Sequence, residues 1–165
     1  MKAIRQSQAA ECGLACLAMV ADHHGHRTGL RGMRQRFPMS LKGASLTRLV
    51  GVAQALGFQS RALRLALSDL GKLRLPCVLH WDLNHFVVLS KVGKGRVHIL
   101  DPAFGERTLV LDEVSRHFTG VALELWPGAD FQARPAPAPA ESRIRSKTRW
   151  IARWTASPRS SACRR

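Results

Sequence analysis

The apolar residues of this 165-residue chain change their spacing partway along the sequence, and this change limits the fold more than any other feature. Residues 12–73 repeat apolar side chains at helical spacing, whereas residues 77–126 form short apolar runs between turn-forming residues. Helices that precede an antiparallel sheet are typical of the α+β class. We therefore predict an α+β domain in which N-terminal helices pack on an antiparallel sheet.

The helical region contains its own stop signals. Gly25 tolerates the backbone conformation that ends a helix, and Pro38 disfavours helix at the residue before it. The predicted elements are Cys12–His24, Arg31–Phe37, a helix that Ser45 caps and that runs to Leu56, and a helical turn over Ser68–Leu73.

The strand region contains one clear hairpin turn, Gly93-Lys94-Gly95. The predicted strands are Cys77–Trp81, His85–Val92, Arg96–Asp101, Arg107–Leu111 and Val121–Trp126, with a short helix over Asp112–His117 before the last of them.

The composition changes after Pro127. A Pro/Ala run from Arg134 to Ala140 cannot continue a helix or a central strand and is typical of an extended linker. The residues that follow are rich in Arg and Ser. We predict a domain over residues 1–127 and a tail over residues 128–165. We expect the tail to be poorly ordered, or at most a short basic helix around Trp150, and to make no contact with the reactive residues.

The net charge of +15 is compatible with two kinds of partner, nucleic acid and an anionic membrane surface. The sequence has no zinc finger, recognition helix or aromatic-rich stacking strand, so we expect no nucleic-acid partner. It also has no transmembrane-length apolar run and no apolar signal segment. The cysteines, which are Cys12, Cys16, Cys77 and Cys163, are irregularly spaced, which favours reduced thiols in the cytoplasm.

Cys12 is the strongest candidate for a nucleophile. It lies in the first turn of the predicted first helix, where unpaired N–H groups and the helix dipole favour a thiolate. Gly13 next to it allows a substrate backbone to approach closely. Cys16 lies within the apolar pattern of the same helix, so we expect it to be an ordinary buried residue.

His85 and Asp101 form the best candidate pair for a base and the group that orients it. A hairpin centred on Gly93 places them directly opposite each other, because each lies eight residues from that glycine. A carboxylate beside an imidazole fixes its tautomer and stabilises its charged form. His23, His24 and His26 lie at the far end of the Cys12 helix, too far away to contact the sulfur.

Two further sets of residues leave alternatives open. Gln6 and Gln8 both precede Cys12, and either amide could donate to a developing oxyanion together with the Cys12 N–H. A zinc site built from Cys12, Cys16 and the three histidines is the competing hypothesis. One straight helix cannot bring those side chains to a single ion, so we expect no metal site and no cofactor.

Three stretches together resemble the C39 peptidase family. Residues 6–17, QSQAAECGLACL, are similar to its cysteine motif, and residues 80–89, HWDLNHFVVL, to its histidine motif. Asp101-Pro102-Ala103 resembles its aspartate motif. Residues 41–46 and 118–122 also resemble the sequence pattern of the family, so that the resemblance covers about residues 1–127.

The resemblance implies a papain-like fold and a cysteine endopeptidase. Such domains usually form the cytoplasmic N-terminus of an ABC transporter at the inner face of the plasma membrane, and they cleave the leader of a bacteriocin-type peptide after a Gly-Gly pair. It implies that Cys12 attacks, that His85 is base and then acid, that Asp101 orients His85, and that Gln6 rather than Gln8 helps to form the oxyanion hole. The implied partners are the leader peptide and the membrane and ATP-binding subunits of a transporter.

One departure from the family pattern follows Trp126. The family continues there into transmembrane helices and an ATP-binding domain, whereas this sequence changes character and contains no Walker A sequence. A free-standing peptidase, a component of a split transporter and a truncated transporter are all compatible with this. A non-catalytic module that docks leader peptides is the alternative function, and the presence of Cys12, His85 and Asp101 favours the active enzyme.

Overall fold

The computed structural model describes residues 1–38 and 43–134. The helices are α1 (Cys12–His23), α2 (Gly29–Arg36), α3 (Leu46–Ala55) and α4 (Leu111–His117), and 3-10 turns cover Ala9–Glu11 and Leu67–Lys72. The strands are β1 (Phe58–Arg64), β2 (Cys77–Trp81), β3 (His85–Gly93), β4 (Arg96–Asp101), β5 (Gly105–Val110) and β6 (Phe118–Pro127).

The six strands form one antiparallel sheet in the order β1-β6-β2-β3-β4-β5. One apolar core joins α1, α2 and α3 to sheet residues such as Val78, Val88 and Leu123. A second core contains the alternate sheet residues, among them Leu79 and Leu89, together with residues of α4 and the second 3-10 turn. This arrangement confirms the predicted α+β class and the packing of N-terminal helices on an antiparallel sheet.

The first helix is buried along almost its whole length. Every residue from Cys12 to Ala21 is buried, and α1 contacts α2, α3 and β3. Gly13 permits the close approach of α3, because a Cβ at this position would lie 2.7 Å from a methyl carbon of Leu49. Gly25, at a φ of 90°, follows the end of the helix as predicted. The start of α1 is therefore held rigidly against the sheet.

Most predicted elements are present, with ends that shift by a few residues. The strand β1 was missed, because only Phe58 in it is buried and its arginines hide the alternation of a strand. It lies at the edge of the sheet, where charged side chains are common. Within the described residues, no helix is both long and apolar enough to cross a membrane.

Residues 128–134 pack against the domain that precedes them. The Gly128 N–H donates to the Gly57 carbonyl at 2.9 Å, and the ring centroid of Phe131 lies 4.6 Å from that of Phe58. Farther along, the Arg27 N–H donates to the Arg134 carbonyl at 2.8 Å. The rest of the predicted tail, including Trp150 and Cys163, lies outside the described residues, and the domain boundary at Pro127 stays a prediction.

We expect Phe131→Ala to lower the free energy of unfolding by about 1–2 kcal/mol, because a half-buried ring loses its contact with Phe58. Chemical denaturation of the full chain measures this change. Phe104→Ala is the matched control, since that ring is exposed and its removal should cost less than about 0.5 kcal/mol. Equal stability of Phe131→Ala and wild type would show that the segment adds nothing to the fold.

Candidate active site

The site forms where α1 begins, at the end of the sheet at which β3 starts and β4 ends. Cys12 is the first residue of α1 and is only 3% exposed. It lines an open cleft of about 690 Å³ whose walls come from Ala9, Ala10, residues 43–46 and the β2–β3 region. The N-terminus of a helix favours negative charge on a side chain there, so this position suits a thiolate.

A buried carboxylate holds the segment that leads into Cys12. Glu11 accepts the N–H groups of Ser7 and Gln8 at 3.0 and 3.1 Å, and it forms an ion pair with Arg34 of α2 at 2.6 Å. Burial alone would raise the pKa of Glu11, but the hydrogen bonds from Arg34, Ser7 and Gln8 outweigh it and lower the pKa. Sequence reasoning missed this pair, since nothing in the sequence links Glu11 to an arginine on another helix.

His85 and Asp101 are in direct contact. The distance from His85 Nε2 to Asp101 Oδ1 is 2.9 Å, and the two side chains are 16% and 2% exposed. Asp101 Oδ1 also accepts the N–H groups of Ala103 and Phe104 at 2.8 and 3.4 Å. The carboxylate therefore orients the ring of His85 and at the same time closes the turn after β4.

The predicted register of this hairpin is wrong, although the predicted contact is present. Gly93 pairs with Arg96, so the turn is Lys94-Gly95 and is not centred on Gly93. The register then shifts at Ser90, an extra residue in β3 that is a β-bulge. Beyond the bulge Val88 pairs with Leu100, which puts Asp101 opposite Val87 in a continued ladder. His85 lies two residues from Val87 and thus on the same face, where it is a diagonal neighbour of Asp101.

The bulge at Ser90 is held by its own side chain. The Ser90 hydroxyl donates to the backbone oxygen of His98 at 2.9 Å and lies 2.8 Å from His98 Nδ1. Without the extra residue, the register near the turn would continue and place Asp101 opposite Val88, on the face away from His85. The bulge thus brings His85 and Asp101 to one side of the sheet.

The charged form of His85 is favoured in the folded protein. Burial by itself lowers the pKa of His85, but hydrogen bonds with Asp101 and with Cys12, and the charges of both groups, raise it to about 9. Cys12 is therefore one of the two groups that raise the pKa of the ring. Because Nε2 faces Asp101, Nδ1 is the nitrogen left for the sulfur. Burial likewise opposes the charge of Asp101, but the hydrogen bonds from His85 and Ala103 lower its pKa.

Of the two candidate glutamines, the structure brings only Gln6 to His85. The Gln6 N–H donates to the carbonyl of Pro102 at 3.0 Å, which fastens it to the turn after Asp101. Its side chain lines a small pocket together with His85, and its Oε1 is buried without a partner among the described residues. Gln8 is exposed and does not line that pocket.

Two further cysteines, Cys16 and Cys77, are buried, His80 lines the cleft together with Cys12, and His26 lies away from it. Burial raises the pKa of Cys16 well above its usual value and that of Cys77 to about 12, so both remain neutral thiols. His26 is at the far end of α1, where its Nδ1 lies 2.7 Å from the Gln132 carbonyl. In the described ranges no group of three or more His, Cys, Asp or Glu side chains could hold a metal ion.

Comparisons with known proteins agree with this geometry. The model of the Peptidase C39 family matches residues 1–130. Two relatives from Escherichia coli are the probable microcin-H47 secretion/processing ATP-binding protein MchF, 51% identical, and the colicin V secretion/processing ATP-binding protein CvaB, 50% identical. Each alignment covers 130 residues, which are 79% of this chain and 19% of the relative. The chain therefore spans about a fifth of the length of these relatives.

Solved structures show the same fold. One is a double glycine motif protease from an AMS/PCAT transporter in complex with its leader peptide, with a TM-score of 0.71 and 33% identity over 76% of this chain and 90% of the other. Another is the peptidase domain of Streptococcus ComA, with a TM-score of 0.70 and 26% identity over 76% of this chain and 98% of the other. The structure thus confirms the papain-like peptidase fold that the sequence predicts.

We expect Asp101→Asn to lower the pKa of His85 from about 9 towards 6.5, because the neutral amide no longer stabilises the imidazolium. NMR titration of the histidine resonances measures it. In the wild-type protein the protonated ring of His85 stabilises the fold. This contribution to the free energy of unfolding is fully present below pH 6.5 and is lost as the pH rises through about 9. Glu113→Gln, which removes a carboxylate that faces Arg107, is the control and should leave the pKa of His85 in place. An unchanged pKa in Asp101→Asn would contradict the pairing.

Proposed function

Because this chain belongs to the peptidase C39 family, we propose that it is a cysteine endopeptidase that removes the leader of a secreted peptide by cleaving after a Gly-Gly pair. The observation that carries the proposal is the hydrogen bond between His85 and Asp101 beside the open cleft that Cys12 lines, together with the raised pKa of His85, to which Cys12 contributes. The similar solved structure of a double glycine motif protease and the two similar secretion/processing proteins support the choice of substrate.

In the proposed reaction Cys12 attacks the carbonyl carbon of the scissile bond as a thiolate. His85 carries the proton that the thiol gives up, and its pKa of about 9 keeps that proton on the ring at neutral pH. The side-chain amide of Gln6 and the N–H of Cys12 stabilise the oxyanion. His85 then protonates the leaving amine and next activates the water that hydrolyses the thioester. Asp101 keeps the ring oriented through both steps.

Residues with small side chains form part of the cleft wall, beside larger ones such as Leu46 and Phe86. Ala9, Ala10, Gly43 and Ala44 line it together with Cys12. Small residues in the wall allow the backbone of the domain to approach the backbone of a bound peptide closely. A pair of glycines suits such a passage, which supports the proposed specificity.

We also propose that the chain acts with the membrane-spanning and ATP-binding parts of an exporter, at the inner face of the plasma membrane. The proposal rests on the names of MchF and CvaB, which are secretion/processing ATP-binding proteins of which this chain matches about a fifth. The net charge of +15 suits a position beside anionic lipid.

We expect Cys12→Ala to reduce cleavage of a Gly-Gly leader peptide by about 10⁴-fold or more, because the nucleophile is lost. A cleavage assay followed by mass spectrometry measures it. Cys16→Ala is the matched control on the same helix, and it should keep cleaving although its buried site loses some stability. If wild type binds the leader and does not cleave it, the chain is a docking module and the enzymatic proposal fails.

Replacing either glycine of the pair by leucine should lower kcat/KM by about tenfold to a hundredfold, because the added side chain meets the walls beside Cys12. Peptides that differ only at these two positions provide the comparison. A leucine placed well upstream in the leader is the control, and there the effect should be smaller. Similar rates for Gly-Gly and Ala-Leu leaders would disprove the specificity.

A further inference from the structure

Two separate depressions meet at the reactive residues. The large cleft is lined by Cys12 and not by His85, whereas a smaller pocket of about 270 Å³ is lined by His85 and not by Cys12. We call the smaller one the His85 pocket. Its other lining residues are Gln6, Ala9, Asp82, Asn84, Ala103 and Phe104.

We propose that the His85 pocket binds the first residue of the cargo, the residue that follows the cleaved bond, and that Phe104 selects an apolar side chain there. This inference rests on the proposed endopeptidase function.

The chemistry of the reaction indicates which part of the substrate lies in the large cleft and which part lies in the His85 pocket. When Cys12 attacks, a C–S bond forms, the C–N bond of the substrate breaks, and the leader stays on the sulfur as a thioester. The proton held by His85 passes to the departing nitrogen. The leaving amine must therefore lie on the side of His85, and the residue that carries this amine reaches the His85 pocket and not the large cleft.

Phe104 is an unusual surface residue, because it is 71% exposed although its backbone is held by hydrogen bonds. Its own N–H and that of Ala103 both donate to Asp101, the carboxylate that orients His85. The guanidinium of Arg107 lies 5.8 Å from the ring centroid. The turn after β4 thus presents an apolar surface at a fixed place beside the reacting histidine.

The polar groups of the pocket also fit a peptide with an apolar side chain. Asp82 already has a partner, since its carboxylate lies 2.7 Å from His117 Nδ1. Gln6 Oε1 is buried and lacks a partner among the described residues, so a peptide N–H of the cargo would supply the donor that it lacks. The volume suits one side chain, which the ring of Phe104 would cover on one side.

The test compares leader–cargo peptides that differ only in the residue after the Gly-Gly pair. For wild type we expect kcat/KM to be about tenfold higher with leucine than with glycine there. Phe104→Ala should bring that ratio close to one, and Phe104→Leu should restore most of it. If wild type does not discriminate, or if Phe104→Ala lowers both rates by the same factor, the proposal is overturned.

A binding measurement separates this proposal from the proposed function. In a Cys12→Ala background, a leader that ends at the Gly-Gly pair stops short of the pocket, so Phe104→Ala should weaken only the peptide that extends into the cargo. Leu83→Ala removes another exposed apolar side chain, one that lines the large cleft, and should weaken the binding of both peptides by the same factor. If the wild-type protein does not cleave but this binding pattern is observed, the peptidase proposal is refuted and the proposal for the His85 pocket stands. Equal binding of the two peptides would refute the proposal for the His85 pocket.

Discussion

The hydrogen bond between His85 and Asp101 joins the first residue of β3 to the last residue of β4, and the rest of the site is arranged around it. Asp101 is buried, so its charge needs hydrogen-bond partners, and it finds them in the His85 ring and in the backbone after β4. The same carboxylate thus turns the imidazole towards Cys12 and fixes the turn whose Pro102 carbonyl holds Gln6. One buried charge thereby sets the positions of the proposed base, His85, and of the proposed oxyanion donor, Gln6.

The position of Cys12, the proposed nucleophile, is fixed by other contacts. It depends on where α1 begins, and α1 is fixed by burial from Cys12 to Ala21 and by the close approach of α3 over Gly13. The segment before it is held by Glu11, whose ion pair with Arg34 ties the approach to Cys12 to a second helix. A site of this kind needs two rigid bodies, a helix and a sheet, in a fixed relation, because proton transfer tolerates only small errors in distance.

Local signals in the sequence could identify most of the parts. Helix stops such as Gly25, the apolar spacing of α1 and the short apolar strands depend on neighbouring residues, so they can be read without the fold. The edge strand β1 and the packing of Phe131 on Phe58 could not be read in this way, because both depend on residues far away in the chain. Choosing Gln6 over Gln8 required either the family resemblance or the hydrogen bond to Pro102, since both side chains offer the same chemistry.

The sequence by itself determined the α+β class, the position of Cys12 at the start of a helix, and the residue types able to act as base and as orienting acid. Only the tertiary structure decided how His85 and Asp101 meet. The predicted hairpin centre was wrong. His85 and Asp101 are nevertheless in contact, because the two-residue turn and the bulge at Ser90 together shift the strand register from the predicted one by an even number of residues. Side chains alternate between the faces of a strand, so an even shift keeps two residues on one face and an odd shift separates them. That parity depends on the backbone geometry around Ser90 and His98, which residue spacing does not reveal.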